Sequence, residues 1–465
     1  MKGKRKNILH KILLLFCSLL ACFLMLEVFL RIYPHELAGY KDKYRHHYNP
    51  LIGTMTPVPN QRNKVFLNPQ IKIYGLSTNS WEMRDYKERS LKKDRFRIAV
   101  LGDSFMEAKH VENGKYMAAL MEDLFEHRVE VLNFGVERIS TVEEYLMYIP
   151  KVRKFSPDIV LLSVLPCNDF SENVEQVHTA CVGDRNKKRF AYTDSQGTIN
   201  FTEFPTSRIR KESSRNKKRI RTLLKKQSRA FCFLDNLNKV VKKWTEKTGA
   251  PPAPKNSFEE PTSKKWYRNN SFYGLQVYME PQDDIWHNAY HVTGELVKML
   301  HDEVKKDHAH FLVFLACLTL EVPEDPSQIL YDELGIQPPE IFNTSYPFLF
   351  LEKMCNEEKI ACVSSLDFFR TYMKKFNVPY PYFSYRNDGH WNPLGHYIAA
   401  NIVAKYLVEQ DMIPGIDKEE KLDLVKKNLM KSPEEILGKE DYGKIYRSGV
   451  YIGVPVSSYD FKYAH

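Results

Sequence analysis

The chain alternates short, wholly apolar runs with longer stretches whose apolar residues recur every three or four positions. The first such run, Ile98-Ala99-Val100-Leu101, closes at Gly102 and predicts a buried β-strand over Arg97 to Leu101. Beyond it, "YMAALMEDLFEHR" has helical spacing, "VEVLNFGV" at Val129 to Val136 reads as a strand, "TVEEYLMYIPKVRKF" as a helix and "PDIVLLSVL" at Pro157 to Leu165 as a third strand. The alternation stops between Ser171 and Glu280, which hold no clean strand run but carry the loop signal "GAPPAPKNS". It resumes with the helix "WHNAYHVTGELVKMLHDEVKK", the strand "AHFLVFLACL" at Ala309 to Leu318, a helix around Tyr346 to Glu358, the strand "IACVSSL" and a last helix, "NPLGHYIAANIVAKYLVEQ". Strands joined through single helices pair in parallel, with helices on both faces. The pattern therefore predicts a three-layer α/β domain over residues 95–410, interrupted by an insertion at about 171–280. Residues 34–94 form a polar and aromatic lead-in without strong periodicity, and 411–465 a tail with one helical pattern, "KEEKLDLVKKNLM".

A different pattern opens the chain. Lys2, Lys4, Arg5, Lys6 and Lys11 precede an apolar run from Ile12 to Leu30 whose only charge is Glu27. As a helix that run is about 28 Å long, enough to cross a bilayer. Residues 1–33 are thus expected to be a basic cytoplasmic stub and a single membrane anchor through 12–30, with the rest of the chain extracytoplasmic. A cleaved signal peptide is the competing reading, but no A-x-A site follows, and apolar residues continue past Ala21.

Composition adds less. With 43% hydrophobic and 27% charged residues the chain is of ordinary globular type. The net charge of +10 is local: residues 185–245 hold 18 Lys/Arg against 4 Asp/Glu. The basic core "RKESSRNKKRIRTLLKKQSR" has no interleaved aromatics and no nucleic-acid motif, which argues against a nucleic-acid partner. Beside a membrane it would meet anionic lipid headgroups or an acidic polysaccharide; a plainly solvated surface is the simpler reading. Eight cysteines are too few for a disulfide scaffold, although Cys355 with Cys362, or Cys167 with Cys181, would be open to pairing in an oxidising compartment. There is no Cys-x-x-Cys and no His-Glu-x-x-His, so no metal site is expected.

The residues with chemistry gather just beyond strands. Gly102-Asp103-Ser104 follows the first, Asn133-Phe134-Gly135 the second and Cys167-Asn168-Asp169 the third; "YRNDGHWNPLGH" opens the final helix, with Asn392 as N-cap and Pro393 in its first turn. In this order the blocks resemble those of the SGNH, or GDSL-type, hydrolase superfamily, which supply a serine, a glycine, an asparagine and a histidine: here Ser104, Gly135, Asn168 and His390. The resemblance spans roughly Arg95 to Gln410. Pro166 stands where the third block usually has glycine. Asp388 stands two residues before His390, where the usual Asp-x-x-His spacing falls on Asn387. The form Asp388-Gly389-His390-Trp391 is similar to the membrane-associated polysaccharide acetyltransferases of the superfamily, the alginate type among them.

The resemblance implies a flavodoxin-like α/β fold and acyl transfer through an acyl-serine, without a cofactor. Ser104 would be the nucleophile, His390 the general base and then acid, and Asp388 the carboxylate that orients the imidazole. The N–H groups of Ser104 and Gly135, with the Asn168 amide, would receive the oxyanion. An O-acylated small molecule or carbohydrate is the implied substrate. Esterase, O-acetyltransferase of an exported polysaccharide and a silent glycan-binding protein on the same scaffold remain open at this stage. His396, one turn inside the last helix, reads as packing; Asp103 and Asp169 as loop-holding residues; Cys167 as a small filler.

Overall fold

The structure, a computed structural model, describes residues 2–32, 43–67, 71–182, 188–203, 228–231, 233–234, 237–238, 273–334, 337–385, 388–448 and 451–452. It divides into two compact units, Met1–Lys43 with Thr206–Glu260, and Tyr44–Pro205 with Pro261–His465.

In the first unit, helix α1 (Lys2–Ile32) contains the segment Leu13–Leu30, of mean hydropathy 2.6, long and apolar enough to cross a membrane. Leu14, Phe16, Leu19, Met25 and Phe29 are exposed. Glu27, the only charge of that run, accepts hydrogen bonds from Ser228 Oγ and the Ala230 N–H, both at 2.8 Å. Arg229 donates to the Leu30 carbonyl at 2.9 Å, and Leu30 and Ala230 are buried together against Phe23, Leu26 and Phe233. Most of the basic core and "GAPPAPKNS" lie outside the described residues.

The second unit is built on a parallel sheet of five strands: β5 (Phe96–Leu101), β6 (Val129–Asn133), β7 (Ile159–Val164), β10 (His310–Leu315) and β11 (Ala361–Ser364). Their order across the sheet is β6-β5-β7-β10-β11, with Ile98 opposite both Val131 and Ile159. β7, "IVLLSV", is buried at every position, as a central parallel strand covered on both faces must be. Helix α3 (Met117–Leu124) packs with α11 (Pro393–Glu409), and α4 (Thr141–Tyr148) with α7 (Asp284–Lys306). The chain reverses direction across the sheet at β5, so right-handed crossovers put these two groups on opposite faces. α11 is apolar nearly all round, and α3 and the tail helix α12 (Lys418–Leu429) pack on it. The pattern "TVEEYLMYIPKVRKF" is not one helix: α4 stops at Tyr148, short of Pro150, and Val152–Phe155 form a separate 3₁₀ turn.

The lead-in folds into strands too short to show a period. β1 (His46–Asn49) pairs with β2 (Thr54–Pro57), and β3 (Lys64–Leu67) with β4 (Ile71–Leu76), both antiparallel. Polar side chains tie it to the sheet. The fully buried Arg84 donates to the carbonyls of Glu107, Ala108 and Val111. Arg97 donates to the carbonyls of Ser90 at 2.6 Å and Phe155 at 2.8 Å and pairs with Glu130. His46 Nε2 meets the buried Glu107 carboxylate at 2.8 Å. The start of the insertion likewise contains a hairpin, β8 (Ala191–Thr193) with β9 (Ile199–Phe201), where the sequence showed no strand run. Among the described residues every cysteine is a free thiol, including Cys355, Cys362, Cys167 and Cys181.

Candidate active site

Where strand order reverses, loops from the carboxyl ends of adjacent strands diverge and leave a crevice. That place is between β5 and β7. β5 runs into a one-turn helix, α2 (Ser104–Glu107), whose N-cap Asp103 accepts the Phe105 N–H at 2.9 Å. β7 runs into α5 (Pro166–Glu172), with Pro166 in its first turn, where no N–H is needed. Asn168 Nδ2 donates to the other Asp103 oxygen at 2.8 Å. One carboxylate thus caps the serine-bearing turn and holds the asparagine-bearing one.

His390 comes from the far end of the domain on a loop with several ties. The Tyr385 N–H donates to the His390 carbonyl at 3.0 Å, and the Gly389 N–H to the Tyr385 carbonyl at 3.0 Å. Gly389 has φ +85, a left-handed turn that favours glycine. Trp391 is fully buried and donates from Nε1 to the Cys317 carbonyl at 2.9 Å. Asn392 caps α11, accepting from the N–H groups of Leu394 and Gly395.

These loops bring Ser104 Oγ to 2.9 Å from His390 Nε2, while His390 Nδ1 lies 2.7 Å from Asp388 Oδ1. A carboxylate only accepts, so Nδ1 carries the proton and donates to Asp388; Nε2 is left as the acceptor for the Ser104 hydroxyl. The shortened Asp-x-His spacing therefore reaches the ring, and Asn387 lies outside the described residues. Ser104 is 7% exposed, against 25% for the His390 side chain.

Of the donors expected around an oxyanion, the Ser104 N–H at the head of α2 has no partner among the described residues, and Asn168 has one amide hydrogen committed to Asp103. The Gly135 N–H is taken up by Asn133 Oδ1 at 2.9 Å. Asn133 Nδ2 in turn donates to the Met106 carbonyl at 2.9 Å. Gly135 instead permits contact: a Cβ there would lie 2.3 Å from Glu107 N and Met106 C, both backbone atoms of α2.

The buried acids around these loops are hard to ionise. Burial pushes Asp103 up to about 6, and burial with the neighbouring Asp103 pushes Asp169 up to about 7. Asp169 accepts the Thr141 N–H and hydroxyl, both at 2.8 Å, and the Leu165 N–H at 2.7 Å, so it holds loops. Burial also pushes the Cys167 thiol well up, which keeps it an unreactive filler. His396, edge-on to Trp391 at 5.5 Å, is held down at about 3 by burial and stays neutral.

One neighbour escapes sequence reasoning. His110, buried, stacks face to face on His390 with ring centroids 3.7 Å apart and planes 14° apart. Its Nε2 is 3.7 Å from Asp388 Oδ1. A lone histidine in a loop gives no periodic signal. His110, Asp388 and His390 group as metal ligands sometimes do, with donor atoms within 4.8 Å of one another. The donor set does not suit an ion, because the parallel imidazoles point their lone pairs side by side and His390 Nδ1 is committed to Asp388.

No family model matches the chain, and no curated protein matches it. Solved structures similar to it include an acetyl xylan esterase, at 11% identity over 66% of this chain and 98% of that one, TM-score 0.34. A catalytic mutant of an acetylxylan esterase from Geobacillus stearothermophilus is 10% identical over 70% and 98%, TM-score 0.34. A GDSL-like lipase from Bacteroides thetaiotaomicron is 10% identical over 68% and 88%, TM-score 0.29. With TM-scores this low, the chemistry has to be carried by the side-chain geometry.

Proposed function

We propose that this chain is a membrane-anchored, extracytoplasmic serine esterase of the SGNH type that removes O-acyl groups, most simply acetyl from a carbohydrate, through an acyl-serine. The observation that carries the reading is the connected hydroxyl, imidazole and carboxylate of Ser104, His390 and Asp388, at 2.9 and 2.7 Å, at the reversal point of the sheet. Ser104 Oγ attacks the acyl carbonyl as its proton passes to His390 Nε2, and Asp388 stabilises the resulting imidazolium. The Ser104 N–H and the Asn168 amide receive the developing oxyanion, a donor of this kind being worth about 100- to 1000-fold in rate. Collapse expels the alcohol, which takes the proton from His390; water then repeats the sequence on the acyl-serine. The apolar side chains exposed along Leu13–Leu30 support retention at a membrane, as do the hydrogen bonds between Glu27 and residues 228–230 of the same chain.

A fluorophosphonate probe tests the chemistry. Labelling of the wild type and none of Ser104→Ala is expected; absence of labelling in both refutes the esterase and favours a silent glycan-binding scaffold. Acetate release from acetylated xylo-oligosaccharide, compared with acetylation of added glycan, then separates hydrolysis from transfer.

A further inference from the structure

We propose that His110 is a positioning residue for the general base: the face of its neutral imidazole backs the His390 ring and stabilises the imidazolium that forms there. The inference rests on the acyl-serine reading above.

Three observations carry it. The rings overlap at 3.7 Å and 14°, whereas the nearest His110 nitrogen is 3.7 Å from Asp388 Oδ1, too far for a hydrogen bond. The contact is therefore made by the ring face. Secondly, His110 is fixed independently of His390. Phe66 packs edge-on against it at 4.7 Å, Tyr385 Oη donates to its carbonyl at 3.0 Å, Ala108 before it takes a left-handed turn at φ 52, and Arg84 holds the carbonyls of Ala108 and Val111 on either side. Thirdly, its charge state is set. The titratable and charged groups around it are His390, Lys109, Arg84, His396 and, across the shared oxygen, Asp388. Burial first, then the nearby cations, hold His110 well below the ordinary histidine range. Its Nδ1 has no partner among the described residues, so hydrogen bonding does not account for the ring's presence.

A neutral aromatic face attracts a cation, and His390 becomes one each time it takes the serine proton. The same face blocks ring rotation on one side, which keeps Nδ1 on Asp388 and Nε2 on Ser104. A protonated His110 would repel the imidazolium and compete for Asp388.

The test compares full-length His110→Leu, which keeps volume but has no π face, with His110→Phe, which keeps the face and loses both nitrogens. Turnover of p-nitrophenyl acetate gives kcat, KM and the acid limb of the kcat profile, with probe labelling and thermal unfolding alongside. H110L is expected to lose about tenfold in kcat with little change in KM, and to move the acid limb to lower pH. H110F is expected to stay within about twofold of wild type on all three. Wild-type kcat and acid limb in H110L overturn the proposal, as does an H110F as impaired as H110L with an unchanged unfolding midpoint, which would point to the nitrogens. Should H110L not fold, His110→Met makes the same comparison. Failure of the wild type to label sinks the esterase reading itself; labelling with indifferent His110 variants sinks only this inference.

Discussion

Gly135→Ala separates two accounts of the second block. If Gly135 matters as a backbone donor, alanine keeps the N–H and costs nothing. If it matters because the loop after β6 presses on the serine-bearing turn, the added Cβ lands 2.3 Å from Glu107 N and Met106 C. Ordinary contact begins at 3.4 Å, so the two segments must part by about 1 Å, and neither backbone atom has a rotamer to move. α2 is a single turn, so displacing Met106 and Glu107 displaces Ser104 from its 2.9 Å contact with His390. A misplacement of that size costs roughly 100-fold in kcat, and overpacking costs about 1–3 kcal/mol of stability. Gly102→Ala is the control. A Cβ there meets side-chain atoms only, Met106 Cγ at 2.3 Å, Met106 Cβ at 3.0 Å and Ser163 Cβ at 3.1 Å, so no backbone atom of α2 is struck directly and the expected loss is smaller than that of G135A. The assay is p-nitrophenyl acetate turnover with the urea unfolding midpoint of each variant. A G135A enzyme within twofold of wild type, with an unchanged midpoint, refutes the close-approach account.

Two further outcomes follow from the same geometry. Asp388→Asn presents an amide to His390 Nδ1 and favours the wrong tautomer, so kcat should fall about 10⁴-fold with little change in unfolding midpoint; near-normal turnover would show that Asp388 is not the orienting group. Asp103 has a folded value of about 6, above the ordinary carboxylate near 4, so its stability contribution is full below about pH 4 and is lost as pH rises through 6. Asn at 103 can still cap α2, and the stability of Asp103→Asn relative to wild type should therefore rise between about pH 4 and 6 and hold level above that, measured by urea unfolding of both proteins at each pH; a gap that stays level or falls between about pH 4 and 6 contradicts it.

The sheet was readable because its strands are buried runs closed by glycine, proline or polar residues; β6, β7, β10 and β11 lie within the segments the pattern marks, and β5 starts one residue before its segment, at Phe96. The expected N-cap at Asn392 is present, with its side chain on two N–H groups. Ser104, Asp388 and His390 could be named from short motifs, since each sits within a few residues of an element boundary. What stayed hidden depends on contacts between distant parts of the chain. The lead-in strands are too short for periodicity and are held by Arg84, Arg97 and His46 reaching remote partners. His110 acquires meaning only when a loop 280 residues away lays His390 on it. That the Gly135 N–H is taken up locally depends on the Asn133 rotamer, which no spacing encodes.

The grip of Arg84 on the carbonyls of Glu107, Ala108 and Val111 bears on where the chain can be shortened. A truncation that removes the N-terminal apolar helix by starting at β5 would also discard this clasp, orphaning carbonyls beside the turn that carries Ser104. The useful cut is therefore upstream of Tyr44, so that everything from the first hairpin onward travels with the sheet.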